Sequence, residues 1–168
     1  PSFSAGWRLS EETFIKNLNL FSNLKIRASW GQLGNQQIGS DFPYASSISI
    51  GSSNFLFNNS ISTGATQSVL ANSSIKWETT ETTNFGVDVG FFKQRLTLTA
   101  EYYIRKTKDI LLSLPIPLVM GLSPSIQNAG NVKNKGLDFT IGWQDAIGDF
   151  SYNARLNFSD VKNEVTNL

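Results

Sequence analysis

The sequence predicts an all-β protein, an antiparallel, up-and-down arc of about six strands belonging to a larger transmembrane β-barrel. Three observations predict it. Apolar and polar residues alternate over six separate segments, helix signals are nearly absent, and the connections alternate between short and long.

In the first segment Phe3, Ala5, Trp7 and Leu9 alternate with Ser4, Gly6, Arg8 and Ser10. In the second, Leu24, Ile26, Ala28 and Trp30 interleave with Lys25, Arg27, Ser29 and Gly31. The third sets Phe85, Val87, Val89 and Phe91 against Asn84, Gly86, Asp88 and Gly90, and the fourth runs from Leu96 to Arg105. Leu137, Phe139, Ile141 and Trp143 mark the fifth; Phe150, Tyr152, Ala154, Leu156 and Phe158 mark the sixth. Successive side chains of a strand point to opposite faces, so each segment has one apolar and one polar face. Only Ser10 to Asn17 reads as helical. Ser10 is placed to cap one short turn there, and Glu11 and Glu12 suit the positive end of its dipole.

The connections after the first, third and fifth segments are short, whereas 35–74 and 111–133 are long. A meander with that rhythm has its short turns at one end and its long loops at the other, as outer-membrane barrels do. A soluble β-sandwich also alternates, but its solvent face is usually rich in Lys and Glu. Here the polar face is mostly Ser, Thr, Asn, Gly and Gln, and Trp30, Tyr102, Trp143 and Tyr152 are expected near the ends of the apolar stripes, as in an aromatic girdle. Six strands do not close a membrane barrel, since known barrels begin at about eight. Open edges in lipid would leave backbone groups without partners, so we expect an arc of a longer wall. The chain starts at Pro1 without Met or a visible signal peptide, which fits an internal piece.

Charged residues make up 16% of the chain, against about 25% in a typical soluble domain. The net charge of +1 gives no electrostatic reason to bind nucleic acid. With no Cys and no His, disulfides, Cys nucleophiles, Ser-His-Asp triads and His-ligated zinc are excluded. No cofactor or metal site is expected, and no catalytic residue.

Four stretches add a resemblance. Trp77-Glu78-Thr79-Thr80-Glu81-Thr82-Thr83-Asn84-Phe85-Gly86-Val87-Asp88 is similar to a segment of the SusC/RagA-type TonB-dependent outer-membrane transporters of Bacteroidota. Leu24 to Asn35 resembles that family's LKLRASYGQLGN strand and turn, and Tyr102 to Leu112 its YYxKxTxDLLL segment. Asn128 to Asp138 looks like NxGxVxNKGxE, with Asp138 where Glu is usual. The four occur in order and cover nearly the whole chain. The resemblance implies a barrel of about 22 strands plugged by an N-terminal domain. It implies residues 1–168 as one partial TonB-dependent receptor barrel domain, with the plug and the remaining strands elsewhere. It also implies import of oligosaccharides or peptides across the cell outer membrane, a SusD-like surface lipoprotein as lid, and coupling to the TonB complex through a part not present here.

Several groups invite sharper readings. Glu78, Glu81, Asp88 and Glu101 could form an acid–base pair for glycoside hydrolysis. The plainer reading is that they line a watery interior where charge costs little. The Asn-x-Ser/Thr patterns at Asn58, Asn72 and Asn157 are read as chance in an Asn- and Ser-rich chain. Segment 35–74 carries Phe42, Tyr44, Phe55 and Phe57 amid hydroxyls and amides, with Asp41 its one charge. That mixture suits sugar binding, yet a loop with hairpins of its own and aromatics packed on neighbouring loops is favoured. In 111–133 the run Leu114 to Leu122 is held extended by Pro115 and Pro117 and needs a cover. Sibling loops are favoured, a lid lipoprotein or neighbouring subunit being the alternative. The function expected is nutrient import, without enzymatic activity and without assigned substrate-contacting residues. A siderophore-type receptor, a soluble β-sandwich binding module and an enzymatic barrel stand as alternatives.

Overall fold

A computed structural model describes residues 1–37, 42–51 and 53–168; Asp41 lies outside the described residues. The chain opens with β1 (Ser2–Arg8) and, after a connection, β2 (Asn23–Asn35). Four short strands follow: β3 (Ile48–Ile50), β4 (Phe55–Phe57), β5 (Ser60–Ser62) and β6 (Ala65–Gln67). Next come β7 (Glu78–Phe91), β8 (Leu96–Lys108), the short β9 (Leu111–Ser113) and β10 (Ile126–Asn128), and finally β11 (Asn131–Ile147) and β12 (Phe150–Asn167). The six long strands form one antiparallel sheet in the order β1-β2-β7-β8-β11-β12, a meander of chain neighbours.

All six predicted strands are present, and most run further than their apolar stripes. β7 begins at Glu78 because the Thr- and Glu-rich lead-in pairs as well as the apolar part. β12 continues through Val161 and Val165. Threonine and valine are at home on a pleated surface whatever faces them. Trp30 and Tyr102 stand in mid-strand, opposite Phe3 and Leu137. The short connection expected after the fifth segment is two residues, Gly148 and Asp149, with Gly148 at φ 62° making the tight turn.

The connection between β1 and β2 contains a 3-10 turn, Leu9–Glu11, and α1 (Thr13–Lys16), a single helical turn. Ser10 is not its cap, contrary to expectation. It lies inside the 3-10 turn, Glu12 occupies the cap position, and the Glu12 carboxylate accepts a hydrogen bond from the Trp7 indole instead.

Two compact units emerge. The first, Pro1–Leu33, Thr80–Thr107 and Val132–Thr166, holds most of the six-stranded sheet. The second comprises Gly34–Thr79, Lys108–Asn131 and Asn167–Leu168. In it β3 pairs with β6 and β4 with β5, the inner hairpin turning on Asn58 and Asn59 at φ 47° and 57°. Asparagine tolerates that left-handed backbone, so the chain folds a two-residue hairpin without glycine. β9 pairs with β10 in the same unit.

The sheet is a single layer, and on β7 Phe85 and Val87 of the apolar stripe are more open than their polar neighbours. On β7, Gly86 and Gly90 are buried and Asn84 and Asp88 half-buried, while Phe85 is 53% and Val87 38% exposed. Among the described residues no hydrophobic side chain is fully buried. A β-sandwich would show the reverse, with its apolar face closed against a second sheet.

Candidate functional site

The polar face of the sheet carries a linked set of side chains from three neighbouring strands. Arg27 of β2 donates from Nε to Asp88 Oδ2 of β7 at 3.2 Å and from Nη2 to Glu101 Oε2 of β8 at 3.0 Å. Asn84 Nδ2 donates to the other Glu101 oxygen, and Thr99 Oγ1 donates to Asp88 Oδ1 at 3.1 Å. Strand alternation put all of these on one face, and pairing brought them together. One guanidinium thus ties two carboxylates that are otherwise like-charged neighbours.

Room for Arg27 comes from Gly86. A Cβ at Gly86 would fall 2.7 Å from Arg27 Cζ and Nε, so any larger residue drives the guanidinium off. The device recurs. Tyr103 lies over Gly136, and the side chain of Gln94 fills the Cβ position of Gly90. Gly86 and Gly136 are therefore beds for side chains of adjacent strands, and Gly90 for one from the turn that follows β7. That role is visible in sequence only as glycine recurring on the polar face.

Of the four carboxylates singled out in the sequence, none forms an isolated acid–base pair. Asp88 and Glu101 share Arg27; Glu81 accepts from Trp30 Nε1 at 3.0 Å; Glu78 accepts from the Leu111 backbone N–H at 3.4 Å. Among the described residues no group of His, Cys, Asp or Glu is suited to hold a metal. A hollow of about 630 Å³ is lined mostly by residues of the apolar stripe. Ala5, Ala28, Ala100, Trp7, Phe85 and Tyr102 are among its lining residues, and Arg27 and Glu101, already paired with each other, also border it.

In the second unit, asparagine side chains replace backbone pairing. Asn128 Nδ2 donates to the carbonyls of Lys76 and Asp109, both at 2.8 Å, and its Oδ1 accepts the Lys76 N–H, also at 2.8 Å. Asn72 donates to Ile126 O at 3.0 Å, and its own Oδ1 accepts from Ser74 N and Oγ, so this sequon asparagine is a structural clasp. Asn157, another of the three, receives the Thr140 hydroxyl hydrogen bond within the sheet. Sequence reasoning identified Asn128 by resemblance alone; its bonding was not legible there.

The loop expectations divide. Hairpins within 35–74 are present as expected. The aromatics Phe42, Tyr44, Phe55 and Phe57 are not packed away within this chain but exposed, Phe57 by 76%. In 111–133 the path from Leu114 to Pro117 has no regular structure, then a 3-10 turn at Leu118–Met120 ends on Gly121 at φ 62°. That turn presents Leu118 and Val119, exposed by 94% and 93%, with no cover from this chain.

The family model described as TonB dependent receptor-like, beta-barrel, matches residues 1–167. TonB-dependent receptor P3 of Formosa agariphila is 35% identical over 169 residues, covering all of this chain and 17% of that protein. TonB-dependent receptor SusC of Bacteroides thetaiotaomicron is 34% identical over 172 residues, again covering the whole chain and 17% of the relative. Among solved structures, the RagAB peptide importer in its open-open state superposes with a TM-score of 0.84 at 27% identity, over 99% of this chain and 18% of that one. The chain thus spans about a sixth of the length of the relatives it matches. With the single-layer sheet, the open Phe85 and Val87 and the linked polar face, these likenesses agree, and the chain belongs to the TonB-dependent receptor family, as part of its β-barrel.

Proposed function

We propose that this chain is a stretch of wall in an outer-membrane importer of oligosaccharides or peptides, partnered by a SusD-like surface lipoprotein. Residues 1–168 make a partial barrel domain in this reading. A plug, the remaining strands and the segment that engages TonB belong to the rest of the protein. The apolar face of the sheet meets lipid and the Arg27–Asp88–Glu101 face lines the interior. The observation that carries the proposal is the exposure on β7, where Phe85 and Val87 of the apolar stripe are more open than Asn84 and Asp88 of the polar one. A wall between lipid and water requires it, and a water-soluble sheet would be penalised for it. In this reading Glu78, Glu81, Asp88 and Glu101 serve structure rather than catalysis.

The relatives point to the cargo class. One relative is named SusC, and a structural neighbour is described as a peptide importer. This supports a SusC/RagA-like assembly over a siderophore-type receptor. The uncovered Leu118–Val119 tip is the surface offered to the lipoprotein. Deletion of the full-length gene should abolish TonB-dependent uptake of one member of a panel of labelled oligosaccharides and peptides. Undiminished uptake of every member, with iron–siderophore uptake lost instead, would overturn the proposal.

A further inference from the structure

The connection between β1 and β2 contains three apolar side chains that nothing in the wall explains. Phe14 and Leu18 are each 60% exposed, and Leu20 58%. Phe14 and Leu18 are four residues apart across α1 and the turn that follows it, a spacing that puts two side chains on one side of a helical turn.

The two ends of this connection are fastened to the same side of the sheet. At its start, Trp7 Nε1 donates to Glu12 Oε1 at 2.9 Å, and Trp7 stands on the apolar face in line with Ala5. At its end, the Phe21 ring packs on Phe91 with centroids 5.3 Å apart, and Ser22 N donates to Gly90 O at 2.7 Å. Phe91 continues the apolar stripe of Phe85, Val87 and Val89. Anchored at both ends to apolar-face rings, the connection is held at the rim of that face rather than across the polar one. Lys16, paired with Glu11 at 3.8 Å, supplies a long side chain whose stem can lie along apolar surface while its charge stays in water.

We propose that residues 9–22 form an interfacial anchor that sets Phe14, Leu18 and Leu20 into the phospholipid surface at the short-turn end of the barrel. It rests on the outer-membrane wall reading. Both ends of the connection are tied to rings of the wall's apolar stripe, Trp7 through Glu12 and Phe91 through Phe21, and that attachment names lipid as the occupant. A short amphipathic segment with aromatic and aliphatic residues on one side and charges on the other is built to lie in such an interface. The anchor fixes the depth of β1 and β2 in the bilayer.

The test uses the full-length protein, freed of other cysteines and reconstituted in vesicles of phosphatidylethanolamine and phosphatidylglycerol. Single nitroxide labels are attached through Phe14→Cys, Leu18→Cys, Glu11→Cys and Leu98→Cys, and collision with oxygen is compared with collision with a water-soluble nickel chelate. Heat-modifiable gel mobility confirms folding of each, and Leu20→Cys replaces any variant that fails it. The labels at 14 and 18 should favour oxygen over nickel severalfold more than the label at 11, with the label at 98 deeper still. Labels at 14 and 18 as open to nickel as that at 11, with 98 in lipid, would overturn the anchor alone. Shielding of 14 and 18 from both reagents would also overturn it, by showing a protein cover. Exposure of 98 to nickel would overturn the wall reading and the anchor with it.

Discussion

Asn128 holds both backbone groups of Lys76, a residue 52 positions away, taking its N–H and giving to its carbonyl at 2.8 Å each. A side-chain amide here does what a neighbouring strand would do, and its second N–H reaches Asp109 O. Asn128→Ala removes all three bonds. At about 1 kcal/mol net per bond, the second unit should lose roughly 2–3 kcal/mol of local stability while the sheet is unaffected. Hydrogen exchange should show faster exchange at the Lys76 amide, and Asn128→Asp, which keeps only the acceptor, should fall between.

The Gly86–Arg27 relationship yields a second test. Gly86→Val should push the guanidinium from its carboxylates and cost about 1–2 kcal/mol, discounted because the groups are about a third exposed. Arg27→Met should cost a similar amount. The double variant should cost clearly less than the two together, because both remove the same interaction. Urea titration of the full-length barrel in vesicles measures all three; simple additivity would separate the glycine from the arginine.

Lipid exposure is tested at adjacent positions. Leu98 pairs with Ile141 on the apolar stripe, whereas Thr99 bonds Asp88 on the polar one. Leu98→Arg should destabilise the full barrel by ~2–4 kcal/mol near the bilayer midplane, and Thr99→Arg by much less. Equal costs would contradict the assignment of faces. The same logic applies to Leu156, exposed on β12, against Asn157, which bonds Thr140.

For the loop tip, Leu118→Asp with Val119→Asp should weaken capture of the surface lipoprotein and leave the barrel intact. Ile116 is half-buried, so the more exposed pair tests docking with less risk to packing. Pull-down from detergent extracts reads the first effect and heat-modifiable gel mobility the second. Unchanged capture with a misfolded barrel would assign the tip to internal packing.

Strand number, order and faces were legible because a period of two is written directly in residues such as Phe85 to Phe91. Strand length was less so: Glu78 to Thr83 carries no apolar alternation, yet it pairs, since backbone hydrogen bonding does not require an apolar side chain. The Ser10 cap failed because a 3-10 turn, Leu9–Glu11, precedes the helical turn and takes Ser10 into its interior. Long-range clasps such as Asn128 to Lys76 depend on which loops meet, and no local period encodes that.

The glycine beds under Arg27, Tyr103 and Gln94 bear on clearance. Where Gly86, Gly136 and Gly90 give way, long side chains recline along the wall rather than project from it. In the proposed wall, charge and hydrogen-bonding capacity are thereby spread over the inner surface with little projection from it. Bulk at those three positions would crowd that proposed inner surface twice over, once by its own volume and once by standing the reclining neighbour upright.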